Sequence, residues 1–123
     1  MTHIIQKELS DLVINAAFKV HSILGPGLQE ILYKRAVILE LNQQNIKTEK
    51  EKEYPVYYTN QRIGIYYADI VIENSIIIEV KSVKQLNYNM QAQLLNYLNI
   101  SGIRVGYLCN FSPRVFEFKR MVL

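Results

Sequence analysis

Two short apolar segments near the middle of the chain restrict the possible folds most strongly. Ile70-Val71-Ile72 and Ile76-Ile77-Ile78 are separated only by Glu73-Asn74-Ser75, whose side chains favour turns. Side chains alternate between the two faces of a strand, so the segments predict a β-hairpin that is apolar on both faces. Such a hairpin requires cover on both sides. The sequence therefore predicts a central sheet with helices packed on it.

Two helical patterns precede this hairpin. Residues 3–24 carry apolar side chains at three- and four-residue spacings, and Gly25-Pro26-Gly27 ends the pattern. A second helical pattern runs from 28 to about 46. The side chains expected to face the core are Ile5, Leu9, Leu12, Val13, Ala16, Val20, Ile23 and Leu24 in the first helix, and Leu32, Ala36, Val37 and Leu39 in the second.

The rest of the chain alternates between strand and helix patterns. Strands are predicted at about 48–58, 62–72, 76–82, 103–110 and 114–122, and a helix at about 88–100. The order ααβββαββ favours an α/β (α+β) fold with a mixed sheet flanked by helices, because a helix crosses over between strands. The alternating charges of residues 47–53 are typical of a solvated edge strand. A length of 123 residues fits a single domain spanning 1–123.

Composition and charge exclude several classes of protein. Half of the residues are apolar and a fifth are charged, which is typical of a globular chain and not of a disordered one. The single Cys109 excludes an intramolecular disulfide and a multi-thiolate zinc site. The sequence has neither a signal-peptide pattern nor an apolar run of roughly 20 residues, so a cytoplasmic protein without membrane contact is expected. The net charge of +3 is compatible with a polyanionic partner.

Charged residues interrupt the apolar hairpin at three positions. If Ile72 pairs with Ile76, Asp69 lies opposite Glu79, and Lys81 shares a face with Glu79. Carboxylates at opposed positions repel each other, and a divalent cation such as Mg²⁺ offsets that repulsion. A nearby lysine can stabilise the negative charge that develops on a phosphate. The pattern fits metal-assisted phosphodiester hydrolysis. Three solvated residues on an open sheet stay the alternative, which the apolar character of both hairpin faces weakens.

These residues also resemble a known family. An Asp followed by Glu-x-Lys on the next strand resembles the PD-(D/E)XK nuclease superfamily, and Gly27-Leu28-Gln29-Glu30-Ile31-Leu32-Tyr33 is similar to the motif of the GxxExxY proteins within it. The resemblance continues through 68–69, 79–81, 92–98, 106–111 and 119–123, and thus covers nearly the whole chain. It implies a core like that of restriction endonucleases.

The resemblance implies a role for each of several residues. Asp69 and Glu79 would bind Mg²⁺, with Mn²⁺ as a substitute, together with the carbonyl oxygen of Val80. Lys81 would position the attacking water or stabilise the transition state. The superfamily's proline before the first Asp is replaced here by Ala68, as its relaxed motif allows.

The resemblance also implies two helical site residues. Glu30 and Gln93 would complete the metal or water shell. Two simpler interpretations stay open, in which Glu30 complements the dipole of its helix and Gln93 is an ordinary surface residue. Many relatives carry a histidine three positions before the glutamine, where this chain has Met90.

Three functional hypotheses follow from the sequence, the last of which is a structural or complex-assembly protein whose acidic cluster is vestigial. The first is a Mg²⁺-dependent nuclease whose partner is nucleic acid, DNA more than RNA, and whose small core is compatible with a homodimer. The second is a catalytically silent module of the same fold that binds nucleic acid or a protein. Structural roles are expected for His3, His21 and Cys109. The two histidines lie on an element without a carboxylate cluster, and Cys109 lies in an apolar strand.

Overall fold

The computed structural model describes residues 6–123 and has the element order that the sequence predicts. The elements are α1 (Lys7–Leu24), α2 (Glu30–Gln43), β1 (Thr48–Tyr58), β2 (Gln61–Ile72), β3 (Ile76–Lys81), α3 (Tyr88–Ser101), β4 (Val105–Asn110) and β5 (Glu117–Val122). The last two strands begin two or three residues later than predicted. The predicted positions of Ile5 and His3 lie outside the described residues.

The five strands form one mixed sheet in the order β1-β2-β3-β4-β5. Neighbouring strands are antiparallel except β3 and β4, which are parallel because α3 connects them across one face. The hairpin strands β2 and β3 therefore lie inside the sheet, and the charged strand β1 lies at an edge. The predicted mixed sheet with helices on it is confirmed.

Helices cover both faces of the sheet. Ile76 and Ile78 pack in one apolar cluster with α1 and α2, whereas Ile77 packs in a second cluster with α3. This alternation follows from the period of two in a strand. The helical cover on both sides accounts for a hairpin without a polar face, as expected.

The inward face of α2 differs from the predicted one. Leu32 and Leu39 are 41% and 62% exposed, whereas Tyr33 and Leu41, which were not predicted to face the core, are fully buried. Val37 is buried as predicted. This helix carries apolar side chains on all of its sides, so the spacing of apolar residues alone does not determine which side faces the core. Tyr33 determines the orientation of the helix, because its ring stacks on Phe111 and its hydroxyl group donates to the carbonyl of Gly25 in the preceding loop.

The predicted core face of α1 is also too wide. Leu12, Ile23 and Leu24 are 43%, 67% and 41% exposed, although the sequence places them in the core stripe. Val13 and Ala16 are buried as predicted. The helix buries only the narrow stripe that contacts the sheet and α2, so apolar residues at the margins of that stripe stay at the surface.

The close approach of α3 to β4 gives a prediction about stability. A Cβ atom at Gly106 would lie 3.1 Å from side-chain carbons of both Leu94 and Leu98. We expect Gly106→Ala to lower the free energy of unfolding by about 1–3 kcal/mol, because the packed leucines must move. Urea unfolding measures the change. Gly64→Ala is the control, since a Cβ atom at Gly64 would have no neighbour within 4 Å, and equal effects of the two substitutions would contradict the expectation.

Candidate active site

The ladder between β2 and β3 is short and opens at the predicted carboxylates. Paired residues extend from Ile72 and Ile76 to Ile70 and Ile78. Beyond them, the N–H of Asp69 donates to Oε2 of Glu79 at 3.1 Å. The N–H of Val80 donates to Oδ2 of Asp69 at 2.8 Å. Each carboxylate thus accepts a bond from the backbone of the opposite strand, and the structure brings Asp69 and Glu79 together.

The alternation of β2 breaks at Asp69. Ala68 packs in the cluster beneath α3, whereas Ile70 packs in the cluster beneath α1 and α2. Residues two apart in a regular strand share a face, so the strand is irregular between these two positions. On β1, Glu51 lies opposite this irregularity and has a left-handed φ of 51°. The carboxylates of Asp69 and Glu79 consequently meet at the gap between strands instead of side by side on one face.

The first turns of α2 supply two further charged groups. Glu30 begins the helix, and its Oε2 accepts a bond from the N–H of Ser82 at 2.9 Å, just beyond β3. Lys34 lies one turn later and is buried, with Nζ 2.8 Å from Oε1 of Glu51 and 3.7 Å from Oδ1 of Asp69. Lys34 was not predicted from the sequence, although its spacing of four from Glu30 places both on one side of the helix.

Gly27 and Tyr33, at the two ends of the motif that contains Glu30, fix the loop before α2. Gly27 has a φ of 102°, which a residue with a Cβ atom rarely adopts. The Tyr33 hydroxyl group donates to the carbonyl of Gly25 at 2.6 Å and accepts from the N–H of Leu28 at 3.1 Å. Gly27 and Tyr33 therefore position the start of the helix, and with it Glu30.

Two tyrosines surround the Glu79 side chain on the α3 side. Glu79 is buried, and the hydroxyl group of Tyr66 donates to its Oε2 at 3.0 Å. The ring of Tyr97 stacks on that of Tyr66 with 3.8 Å between centroids. Gln93 is exposed and interacts with the Tyr97 hydroxyl group. The predicted Gln93 thus connects with Glu79 through two aromatic residues that were not predicted as part of the site.

Lys81 ends β3 beside the carboxylates. Burial raises the pKa of both Asp69 and Glu79, and the positive charge of Lys81 opposes part of this rise. Its carbonyl accepts a bond from the N–H of Phe111 at 3.0 Å. Its partner in β4, the fully buried Asn110, bonds both backbone groups of Val83 and so holds the following loop. Asn110 was not predicted either, because its role depends on the parallel register.

Burial dominates the electrostatics of the two carboxyl groups. It raises the pKa of Glu79 to about 7, and the charge of Asp69 adds to the effect. Burial also raises the pKa of Asp69, although the bond from Val80 and the charges of Lys34 and Lys81 oppose it. The local hydrogen bonds and lysines therefore do not fully compensate the two negative charges.

The two carboxylates fit a divalent metal ion as donors. Oδ2 of Asp69 and Oε2 of Glu79 accept the backbone bonds, which leaves Oδ1 and Oε1 outside those bonds. Carboxylate oxygens suit Mg²⁺ and Mn²⁺. Within residues 6–123 no three Asp, Glu, His or Cys side chains form a metal-binding group. Such an ion would complete its shell with water and phosphate oxygens, as Mg²⁺ commonly does.

The other residues considered in the sequence analysis make packing and hydrogen-bond contacts away from the carboxylates. His21 is buried, with Nε2 2.8 Å from the carbonyl oxygen of Pro113. Cys109 is fully buried, which raises the pKa of its thiol, and Met90 packs against the cluster beneath α3. No helix in the described part of the chain is long and apolar enough to cross a membrane.

Comparisons with known proteins bear on the family and the fold of the chain. A family model described as the PD-(D/E)XK nuclease superfamily matches residues 7–121. A solved structure described as "Crystal structure of SSO0001" is similar, with a TM-score of 0.57 and 22% identity. The match covers 95% of this chain and 58% of that one, so it supports the fold alone. No curated protein matches significantly.

The raised pKa of Glu79 predicts a pH-dependent stability in metal-free protein. Folded Glu79 holds its proton up to about pH 7, whereas an unfolded glutamate releases it near 4.5, so stability falls as the pH rises through this range. We expect Glu79→Gln to be more stable than the wild type at pH 8 in EDTA, by about 1–3 kcal/mol, because the amide carries no charge. The difference should disappear at pH 4.

Urea unfolding across this pH range measures the difference. Glu53→Gln is the matched control, since Glu53 is exposed on β1. A Glu79→Gln protein that is no more stable than the wild type at pH 8 would contradict the assignment of an uncompensated buried charge.

Proposed function

Because the chain belongs to the PD-(D/E)XK nuclease superfamily, we propose that it hydrolyses phosphodiester bonds in nucleic acid, with DNA preferred over RNA. The observation that carries this proposal is the pair of Asp69 and Glu79, in which each carboxylate accepts a hydrogen bond from a backbone N–H of the opposite strand. Glu79 is buried, and the charges of the two carboxylates are not fully compensated. Such a pair is costly to a fold, so it is more consistent with a chemical role than with a structural one.

The metal site of the proposal consists of Asp69, Glu79 and the carbonyl oxygen of Val80. Mg²⁺ is the expected ion, with Mn²⁺ as a substitute. When bound, such an ion stabilises charge on the phosphate and lowers the pKa of a coordinated water. The oxygen donors and the raised pKa values of both carboxyl groups support this assignment.

The other site residues position the reacting groups. Lys81 carries the positive charge that would hold the attacking water and stabilise the phosphate as its negative charge develops. Glu30 is fixed by its bond from the Ser82 N–H and would orient a water on the α2 side. Tyr66 holds one oxygen of Glu79, and Gln93 supports that arrangement through Tyr97.

The proposed enzyme is one nuclease-like domain over 1–123 of the GxxExxY type, in which Gly27, Glu30 and Tyr33 have the separate roles described above. A homodimer is part of the proposal, because so small a core has little surface with which to hold a duplex. A cytoplasmic location stays a prediction from the sequence.

A non-catalytic binding module is the second candidate. It is favoured by the absence of a group of three metal-ligating side chains within residues 6–123. Met90 also stands where many relatives have a histidine. This candidate needs no metal and predicts salt-sensitive binding without a response to Mg²⁺.

Cleavage assays test the enzyme directly. With Mg²⁺ or Mn²⁺, the wild type should cleave single- or double-stranded DNA, or RNA more slowly. Asp69→Asn should abolish cleavage, and Lys81→Met should lower kcat by roughly 10²–10³-fold, by analogy with the loss of other electrostatic transition-state contacts. Glu53→Gln is the control with unchanged activity. No cleavage of any of these substrates, or full activity in Asp69→Asn, would refute the proposal.

Thermal unfolding with metal separates the two candidates. If Asp69 and Glu79 bind Mg²⁺, a concentration 100 times the dissociation constant should stabilise the protein by about 2.7 kcal/mol. Asp69→Asn should lose this stabilisation, while Glu53→Gln retains it. Nucleic-acid binding without any stabilisation by Mg²⁺ or Mn²⁺ would favour the module.

A further inference from the structure

A second cavity adjoins the carboxylates. The carboxylate cavity has a volume of about 240 Å³ and includes Glu30, Asp69 and Val80 in its lining. The adjoining one has a volume of about 310 Å³ and is here called the α2–β1 groove. Its lining residues are Ile31, Lys34, Arg35, Ile38, Lys50 and Glu51. Ile31, Lys34 and Glu51 line both cavities, so the groove leads directly away from the site.

The outer part of the groove is positively charged. Lys34 and Glu51 form an ion pair at 2.8 Å, so their charges offset each other. Arg35 and Lys50 are exposed on opposite walls, one on α2 and one on β1, and neither forms an ion pair with any residue from 6 to 123. Two uncompensated cations therefore face an opening that begins at the carboxylates.

The groove also has an apolar side. Ile31 is 37% exposed and Ile38 is half-buried, both on α2. The volume lies at the lower end of the range of roughly 300–1,000 Å³ that is usual for ligand sites. A phosphodiester with its sugar and base has this mixed character, since an anionic group adjoins an apolar face.

We propose that the α2–β1 groove binds the nucleic-acid strand next to the bond that is cleaved. Arg35 and Lys50 contact the neighbouring phosphate, and the attached sugar and base lie over Ile31 and Ile38. The inference rests on the proposed function, because it places the scissile phosphate at Asp69 and Glu79. It adds the direction in which the strand leaves the site.

The test measures how the binding constant K of the protein for a fluorescently labelled oligonucleotide, single-stranded or duplex, depends on salt concentration. A Glu79→Gln background prevents cleavage during the measurement. Each phosphate contact contributes roughly 0.7–0.9 to the slope of log K against log salt concentration. Arg35→Gln and Lys50→Gln should each lower the slope by about this amount, and Arg35→Lys should retain it because the charge stays.

Arg62→Gln is the matched control because it removes the same charge from an exposed position on β2. It lies seven residues from Asp69 along the strand, roughly 23 Å away. Slopes in Arg35→Gln and Lys50→Gln equal to that of Arg62→Gln would overturn the inference, as would the absence of oligonucleotide binding. Cleavage by the wild type is measured separately, so an active enzyme with unchanged slopes refutes the groove alone, whereas altered slopes without cleavage refute the proposed hydrolysis alone.

Discussion

The exchange of hydrogen bonds between Asp69 and Glu79 is the interaction on which the site depends. A sheet strand normally satisfies its N–H groups with carbonyl oxygens of its neighbour, and buried N–H groups are rarely left without a partner. At the end of the β2–β3 ladder these two carboxylates accept the bonds instead. The strands can therefore separate while these two N–H groups keep hydrogen-bond partners, and the gap holds the buried Glu79 and the partly exposed Asp69.

Helices α2 and α3 stabilise the side chains at this gap from opposite faces of the sheet. The hydrogen bonds of the Tyr33 hydroxyl group fix the loop before α2, and the helix then presents Glu30 and Lys34 from one side. On the other side, α3 places Tyr97 against Tyr66, whose hydroxyl group holds Glu79. Because the hairpin is covered on both faces, each carboxylate has a different neighbour. Asp69 is near lysine, and Glu79 is near tyrosine.

Local patterns predicted the strands, their order and the register of the hairpin, since Ile72 and Ile76 pair as the three-residue loop requires. They failed where tertiary contacts decide the result. Leu32 and Leu39 lie on the outer side of α2 because Tyr33 sets its rotation. Lys34 was missed because its burial depends on Glu51 and Asp69, which belong to strands far along the chain. Gln93 was found only through the family resemblance.

A single irregularity explains why the carboxylate site and the α2–β1 groove adjoin. The break in alternation at Asp69 and the left-handed φ of Glu51 occur at the same level of the β1–β2 pair. A non-glycine residue in that conformation stores strain, which the rest of the structure must offset. Here Glu51 forms an ion pair with buried Lys34, which connects the edge strand with α2. The net charge of +3 is thus less informative than its distribution, since acids lie at the strand gap and uncompensated cations lie beside it.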